Sequence, residues 1–463
     1  MRPLPGFLEQ ACYQLVRLVM IPAAHAHFRR IDVLHLERLP RRGPVLLVAN
    51  HPSSLTDVLV LAVALRRTLR FVAYSGLYQP WPHGWFLAAC GVVPVWRHED
   101  DPEHAWRNRA SLARLTAALA NGEAVAMFPE GDSRADRYVD RLKTGAARVA
   151  LAYHLAGAPS GTLALIPAGL TFSQRTALRS DVTIAVGEAL PLGRHLEHAH
   201  GDLEGAVHAL TADLHAALSA LILAVTERRD EPLVRDIERL AMARLRAAYP
   251  ASAPHELLQE VTHAIAWYRA HDPVALERVA GLFEGYRARL RAHRLTDAVL
   301  AERVPAHAWL RRPFELLTLG AIGLPFMLVG AALHGVPLAL AEAGARWVGR
   351  DPTRISYARI MGGVAGFGML YCGAAWWMWS RHWPVPGIAG LLVAAAGLGV
   401  FAWSYRVWLA RERHRLRLGW LLATRPGEVA ALRGRRSLLV RLIERGGRRW
   451  LAEGGAPGLT RAS

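Results

Sequence analysis

Two apolar stretches near the C-terminus, Ile360–Trp379 and Val385–Tyr405, are each about long enough to cross a bilayer as a helix, and any fold of this chain must accommodate them. Trp376, Trp377, Trp379 and Trp383 gather at the turn between them, as an aromatic interface belt does. Gly362 and Gly366 have the small-xxx-small spacing that permits close helix packing. An earlier apolar stretch, 314–341, carries Pro325, Gly335 and Pro337 and reads as broken. The composition agrees with a membrane-associated protein. Of 463 residues 52% are hydrophobic and 20% charged, and the mean hydropathy is +0.15.

Charge suggests a topology. Arg311 and Arg312 precede the apolar region, Arg346, Arg350, Arg354 and Arg359 fall in the next loop, and a dense arginine tail follows Tyr405. The Trp-rich turn holds only Arg381. The positive-inside rule places the basic segments on the cytoplasmic side, which requires 314–341 to cross twice or re-enter and 360–405 to form a hairpin. The expectation is a multi-pass protein of a bacterial-type inner membrane, with its N-terminal domain facing the cytoplasm.

The net charge of +18 suits an anionic lipid surface or nucleic acid. No zinc-finger spacing, RNP-like string or helix-turn-helix pattern supports nucleic acid, and the apolar C-terminal third decides for lipid. All but one of the 56 basic residues are arginine, and the exception is Lys143. Cys12, Cys90 and Cys372 are scattered without metal spacing, as expected of free thiols in a reducing compartment. Glu9 and Arg17 interrupt the N-terminal apolar stretch, so residues 1–30 read as an amphipathic helix on a membrane surface or packed on the domain, not as a secretory signal.

Short apolar runs alternate with helical stretches over 31–190. Strands are predicted at Val45–Ala49, Phe71–Tyr74, Val92–Trp96, Ala124–Phe128, Leu163–Leu170 and Val182–Val186, with helices over Trp106–Ala120 and Lys143–Leu155. That rhythm predicts an α/β domain, a mixed sheet covered by helices. Residues 191–305 switch to a period of 3.6 and predict a helical region; 306–410 form the membrane domain, and 411–463 a basic cytoplasmic tail. His195, His198 and His200 lack matching acidic or Cys ligands and read as a solvated loop, not a metal site.

Two strings at predicted strand ends carry chemistry. In Asn50-His51-Pro52-Ser53-Ser54-Leu55-Thr56-Asp57 an imidazole stands just ahead of a helix start, with a carboxylate in the first turns. A His held by an Asp keeps one ring nitrogen unprotonated and available to a hydroxyl. Phe128-Pro129-Glu130-Gly131 ends an apolar strand in an acidic turn. The bland reading of His51 is a capping or core residue. No Gly-x-Ser-x-Gly elbow offers a serine nucleophile, so direct transfer is favoured over an acyl-enzyme.

Together these strings resemble the glycerolipid acyltransferase family, over about residues 31–190. The spacing of five residues between His51 and Asp57 resembles a subgroup with a longer Asn-His-Pro-x-Ser-x-x-Asp block. The resemblance implies His51 as general base and Asp57 as the group that orients it. Gly91–Arg97 resembles the stretch whose arginine, here Arg97, binds the acceptor phosphate; a guanidinium fork suits that contact, whereas the bland reading is a surface arginine beside Glu99-Asp100-Asp101. Glu130 and Gly131 are expected to bind or organise around the acceptor. Where relatives continue with Thr-Arg this chain has Asp132-Ser133-Arg134, leaving Arg134 as a displaced phosphate ligand. Lys143 falls in a string like the family's Lys-x-Gly helix opening, and Ile166–Leu170 resembles a strand on the donor side or simply a buried strand. Tyr74 stands where relatives often carry lysine.

The resemblance implies transfer of an acyl group from acyl-CoA or acyl carrier protein to lysophosphatidic acid or glycerol 3-phosphate at a phospholipid bilayer, with no metal or redox cofactor. Strong apolar anchoring favours the lipid acceptor. The alternatives are another lyso-lipid or aminolipid acceptor, or a non-catalytic lipid-binding protein. A transporter is disfavoured by the short apolar region and the lack of a membrane-buried charge pair.

Overall fold

The computed structural model describes residues 6–78, 83–97, 101–131, 141–158, 162–173, 179–222, 228–249, 254–302, 306–347 and 352–453. Contacts divide the chain into two units, Met1–Ala224 with Ala341–Val364, and Val225–Leu340 with Ala365–Ser463.

The first unit is built on a seven-stranded sheet: β1 (Phe28–Leu34), β2 (Val45–Ala49), β3 (Leu69–Tyr74), β4 (Val93–Val95), β5 (Ala124–Met127), β6 (Ala164–Phe172) and β7 (Ser180–Val186). The spatial order is β1-β7-β6-β2-β5-β3-β4. β6 and β7 pair antiparallel and every other neighbouring pair is parallel, so the sheet is mixed. The β2 run Val-Leu-Leu-Val-Ala is wholly buried, as a strand covered on both faces must be. Val45, Leu47 and Ala49 face one core, with α1 (Gly6–His27) and α2 (Leu55–Ala64). Leu46 and Val48 face the other, with α4 (Asn108–Ala120), α5 (Gly145–Leu155) and α7 (Leu203–Leu221); α3 (His83–Ala89) and α6 (Gly193–Ala199) also belong to this unit.

Two expectations change here. β1 was not legible, because Arg29 and Arg30 interrupt its apolar character; it is a partly exposed outer strand whose Arg29 pairs with Asp181 of β7. The helices of 193–221 also belong with the sheet and not with the helical region that follows. Ala206, Leu210, Leu214 and Leu218, spaced at helical period, complete the second core. His195 is accordingly not in a solvated loop. It is buried in α6, with Nε2 2.8 Å from Asp213 Oδ2.

α1 packs on the sheet, one of the two readings of the N-terminus. Tyr13 and Ala24 sit in the first core, while Phe7, Leu15 and Leu18 are exposed on the remaining face. Cys12 and Cys90, far apart in sequence, bring their sulfurs to 3.7 Å as free thiols.

The second unit is helical. α8 (Glu231–Ala248), α9 (Pro254–His271), α10 (Pro273–Ala292) and α11 (Asp297–Ala301) precede α12 (Ala306–Trp347), α13 (Pro352–Ser380), α14 (Val385–Thr424) and α15 (Pro426–Ala452), with the Ala341–Val364 portion of α12 and α13 assigned to the first unit. Among the described residues, three helical segments are long and apolar enough to cross a membrane: Gly320–Trp347, Ile355–Ser380 and Val385–Thr424. α12 runs unbroken through Pro325 and Pro337, so the expected break at 314–341 is absent and the segment offers one crossing, not two. Neighbouring helices support such prolines. Gly366 lies directly against Pro337, where a Cβ would come within 2.9 Å of its Cα, and Tyr405 Oη donates to the Gly320 carbonyl at 2.6 Å. The arginine-rich tail is also structured. Leu432, Leu439, Val440 and Trp450 bury one face of α15, while Arg436 pairs with Asp297 at 2.9 Å and Arg244 of α8 with Glu444 at 2.9 Å.

Candidate active site

The site lies where parallel strands end together, at the C-terminal edge of β2, β5, β3 and β4, as open α/β sheets favour. β2 delivers Asn50 and His51. Asn50 is buried and bridges to β6, donating from Nδ2 to the Leu170 carbonyl at 3.0 Å and accepting the Leu170 N–H at 2.6 Å. That pair of bonds extends sheet pairing with a side chain and fixes the backbone that presents His51.

His51 Nδ1 lies 2.9 Å from Asp57 Oδ2, which also accepts the Ser53 N–H at 2.7 Å. Asp57 is wholly buried in the first turn of α2, near the positive end of the helix dipole. A carboxylate only accepts, so the bond puts the imidazole proton on Nδ1 and leaves Nε2 basic. The turn that brings the two together is constrained. Ser54, preceding α2, has φ 51°, a region few residues other than glycine adopt. The His51 ring stacks on Phe128 at 4.2 Å between centroids and 18° between planes, and its side chain stays 18% exposed, open to a substrate.

β5 delivers the second string. Glu130 Oε1 accepts the His51 N–H at 3.0 Å, so this carboxylate clamps the His51 backbone. Gly131 has φ +78°, natural only for glycine, and the Lys143 side chain passes beside it, so an added Cβ would lie 2.7 Å from Lys143 Cε. Lys143 itself is exposed, and its N–H donates to the Pro129 carbonyl at 2.7 Å, closing the turn.

β4 delivers Arg97. Asn108 holds the preceding residue in place, with bonds of 2.8 and 2.7 Å to Trp96 N–H and carbonyl. The Arg97 guanidinium donates to the Gly131 carbonyl and lies 4.6 Å above the Tyr74 ring, so it is half-buried within the site and not a surface residue. Gly76 makes room for that ring, because a Cβ there would fall 2.3 Å from Tyr74 Cε1. His51, Asp57, Arg97, Glu130, Gly131 and Lys143 are thus linked through one set of contacts, while Arg134 lies outside the described residues. Sequence reading missed the roles of Phe128, Tyr74 and Asn108. Only the unusual tyrosine at 74 carried a signal.

Residues 30–170 match the Acyltransferase family model. Among curated proteins, the chain is 33% identical over 147 residues to the chloroplastic 1-acyl-sn-glycerol-3-phosphate acyltransferase LPAT1 of Arabidopsis thaliana, covering 31% of this chain and 39% of that protein. It is 32% identical over 125 residues to the chloroplastic 1-acyl-sn-glycerol-3-phosphate acyltransferase BAT2 of Brassica napus, covering 27% and 34%. A probable 1-acyl-sn-glycerol-3-phosphate acyltransferase of Mycoplasma pneumoniae is 30% identical over 127 residues, covering 26% and 44%. The chain therefore spans less than half the length of the curated relatives it matches. A solved structure, the 1-acyl-sn-glycerophosphate (LPA) acyltransferase PlsC of Thermotoga maritima, aligns at 16% identity and a TM-score of 0.34, over 46% of this chain and 78% of that one, a likeness too slight to carry weight.

Proposed function

We propose that this protein is a membrane-bound O-acyltransferase that moves a fatty acyl group from a thioester, acyl-CoA or acyl carrier protein, to a hydroxyl of a glycerophosphate. Lysophosphatidic acid is the favoured acceptor over glycerol 3-phosphate, in keeping with the relatives' names and with the three apolar helices. The observation that carries the reading is the His51–Asp57 pair, 2.9 Å apart with the carboxylate wholly buried. In this reading His51 Nε2 takes the proton of the acceptor hydroxyl as its oxygen attacks the thioester carbonyl. The new C–O ester bond forms, the C–S bond breaks, and the departing thiolate recovers the proton from the imidazolium. Asp57 steadies that cation while it lasts. General-base assistance of this kind is worth roughly 10²–10⁴ in rate.

Arg97 is the proposed phosphate ligand. The Gly131 carbonyl and the Tyr74 ring hold its guanidinium in advance, which lowers the entropy cost of binding. Glu130 serves by fixing the His51 backbone, and Lys143 borders the same turn. In the same proposal the chain falls in the Asn-His-Pro-x-Ser-x-x-Asp subgroup, a reading supported by the longer His51-to-Asp57 spacing, and the catalytic unit faces the cytoplasm at a bacterial inner membrane, a reading supported by the arginine-rich segments.

The test is acyl transfer by the detergent-solubilised full chain from labelled acyl-CoA or acyl carrier protein. Acceptors are glycerol 3-phosphate, lysophosphatidic acid and lysophosphatidylcholine, with His51→Ala alongside. Turnover on a phosphomonoester that vanishes in the variant supports the reading. Turnover on lysophosphatidylcholine alone removes the Arg97 assignment, and a His51→Ala protein as active as the parent removes the mechanism.

A further inference from the structure

The second unit contains a cavity of about 550 Å³ among α8, α9, α10 and α15, within the roughly 300–1,000 Å³ typical of ligand sites. Its walls are apolar, with Ile237, Leu257, Val261, Ile265, Leu276 and Trp450 among them. Small residues keep it open. Ala241, Ala264 and Ala275 line it, and at Gly447 an added Cβ would meet nothing within 4 Å.

Its charged residues are not evenly placed. Arg244, Arg445, Arg448 and Arg449 line the cavity and are exposed, so they stand at its mouth. Arg244 is paired with Glu444, and Arg449 with Asp272 and Glu453. Arg445 and Arg448, three apart and so on one face of α15, form no such ion pair among the described residues. Glu260 also lines the cavity, but its buried Oε2 lies 3.8 Å from Nδ1 of the exposed His263, which is not a lining residue. Apolar walls leave a charge within unsolvated, so an anionic group belongs at the arginine mouth and an uncharged chain inside.

We propose that this cavity binds a single-chain amphiphile, its acyl chain between α8, α9, α10 and α15 and its anionic head group at Arg445 and Arg448. The cavity belongs to the second unit and His51 to the first, and the proposal does not depend on the acyl-transfer reading. Free fatty acids and monoacyl glycerophosphates share the required chemistry, one chain and one anionic head.

The test is photolabelling of the full chain in phosphatidylcholine nanodiscs with palmitate bearing a diazirine, followed by peptide mapping. Unlabelled palmitate, lysophosphatidic acid and uncharged monooleoylglycerol serve as competitors. Label is expected on peptides from 231–292 and 426–452, displaced at least tenfold more effectively by one or both anionic competitors than by monooleoylglycerol. Which anion displaces better tells fatty acid from glycerophosphate. Ala264→Trp, which fills the cavity, is expected to abolish this labelling. The double variant Arg445→Glu with Arg448→Glu, at exposed positions that spare the fold, is expected to weaken it at least fivefold. Label confined to 320–424, equal displacement by monooleoylglycerol, or labelling unchanged in the double variant would overturn the proposal.

Discussion

Replacing Asp57 with asparagine tests the centre of the proposed mechanism at nearly constant volume. The native Oδ2 accepts two N–H groups, His51 Nδ1–H at 2.9 Å and Ser53 N–H at 2.7 Å. An amide oxygen in that position keeps both bonds but loses the charge. Hydrogen bonds to charged groups are worth about 1.5–3 kcal/mol and neutral ones about 0.5–1.5, so each bond weakens by about 1–1.5 kcal/mol. The His51 bond strengthens as the imidazolium forms, so its loss falls mainly on the transition state, and the missing negative charge beside that cation adds to it. A total of about 2–4 kcal/mol corresponds to a fall in kcat of roughly 30- to 1,000-fold. The acceptor KM should stay within about threefold, because Arg97, the proposed phosphate ligand, is untouched. Initial rates across acceptor concentrations measure both constants, and thermal unfolding of the same samples checks that the buried site still folds. A folded Asp57→Asn protein with kcat within threefold of the parent would falsify the pairing of Asp57 with a general-base His51.

Tyr74→Leu removes the ring beneath Arg97 and should raise the acceptor KM about 2- to 30-fold with a smaller change in kcat, since cation–π contacts are worth about 0.5–2 kcal/mol. Tyr74→Phe keeps the ring and should stay near the parent; equal losses in both variants would tie the effect to the hydroxyl instead. Gly131→Ala forces a side chain into φ +78° and against Lys143, with an expected stability loss of about 1–2 kcal/mol and a higher acceptor KM, read from chemical unfolding and kinetics; an unchanged protein would disprove the tight turn. Burial lowers the pKa of His27 from 6.5 to about 4, so the folded state resists protonation and the unfolded state does not. Its contribution to stability is complete above pH 6.5 and is lost as the pH falls toward 4. Between pH 7 and pH 5 the parent should lose about 2 kcal/mol more than His27→Gln, measured by unfolding at both pH values, and parallel losses would refute the assignment.

Much of the site was legible because its chemistry sits in short contiguous strings. Asn50–Asp57 encodes a strand end, a tight turn and a helix start, so the approach of His51 to Asp57 follows from local geometry. The apolar period of the strands likewise announces a sheet buried on both faces. What local pattern does not contain is the company each string keeps. That Glu130 holds the His51 backbone, that Phe128 stacks on the ring and that Arg97 rests between Tyr74 and Gly131 depend on which strands become neighbours in the sheet.

The same distinction explains where the sequence misled. Pro325 and Pro337 are strong local breakers, yet packing carries α12 through both. Arg29 and Arg30 hide an outer strand because charge is tolerated there. The arginine tail reads only as basic, but a burial stripe of Leu432, Leu439 and Trp450 folds it into a helix. Composition and period thus determined the α/β domain, the apolar C-terminal helices and the His51–Asp57 pairing, because these rest on interactions a few residues apart. Tertiary structure alone decided the Arg97 setting, the unbroken α12 and the cavity of the second unit, because each depends on contacts between segments whose proximity no local energy encodes.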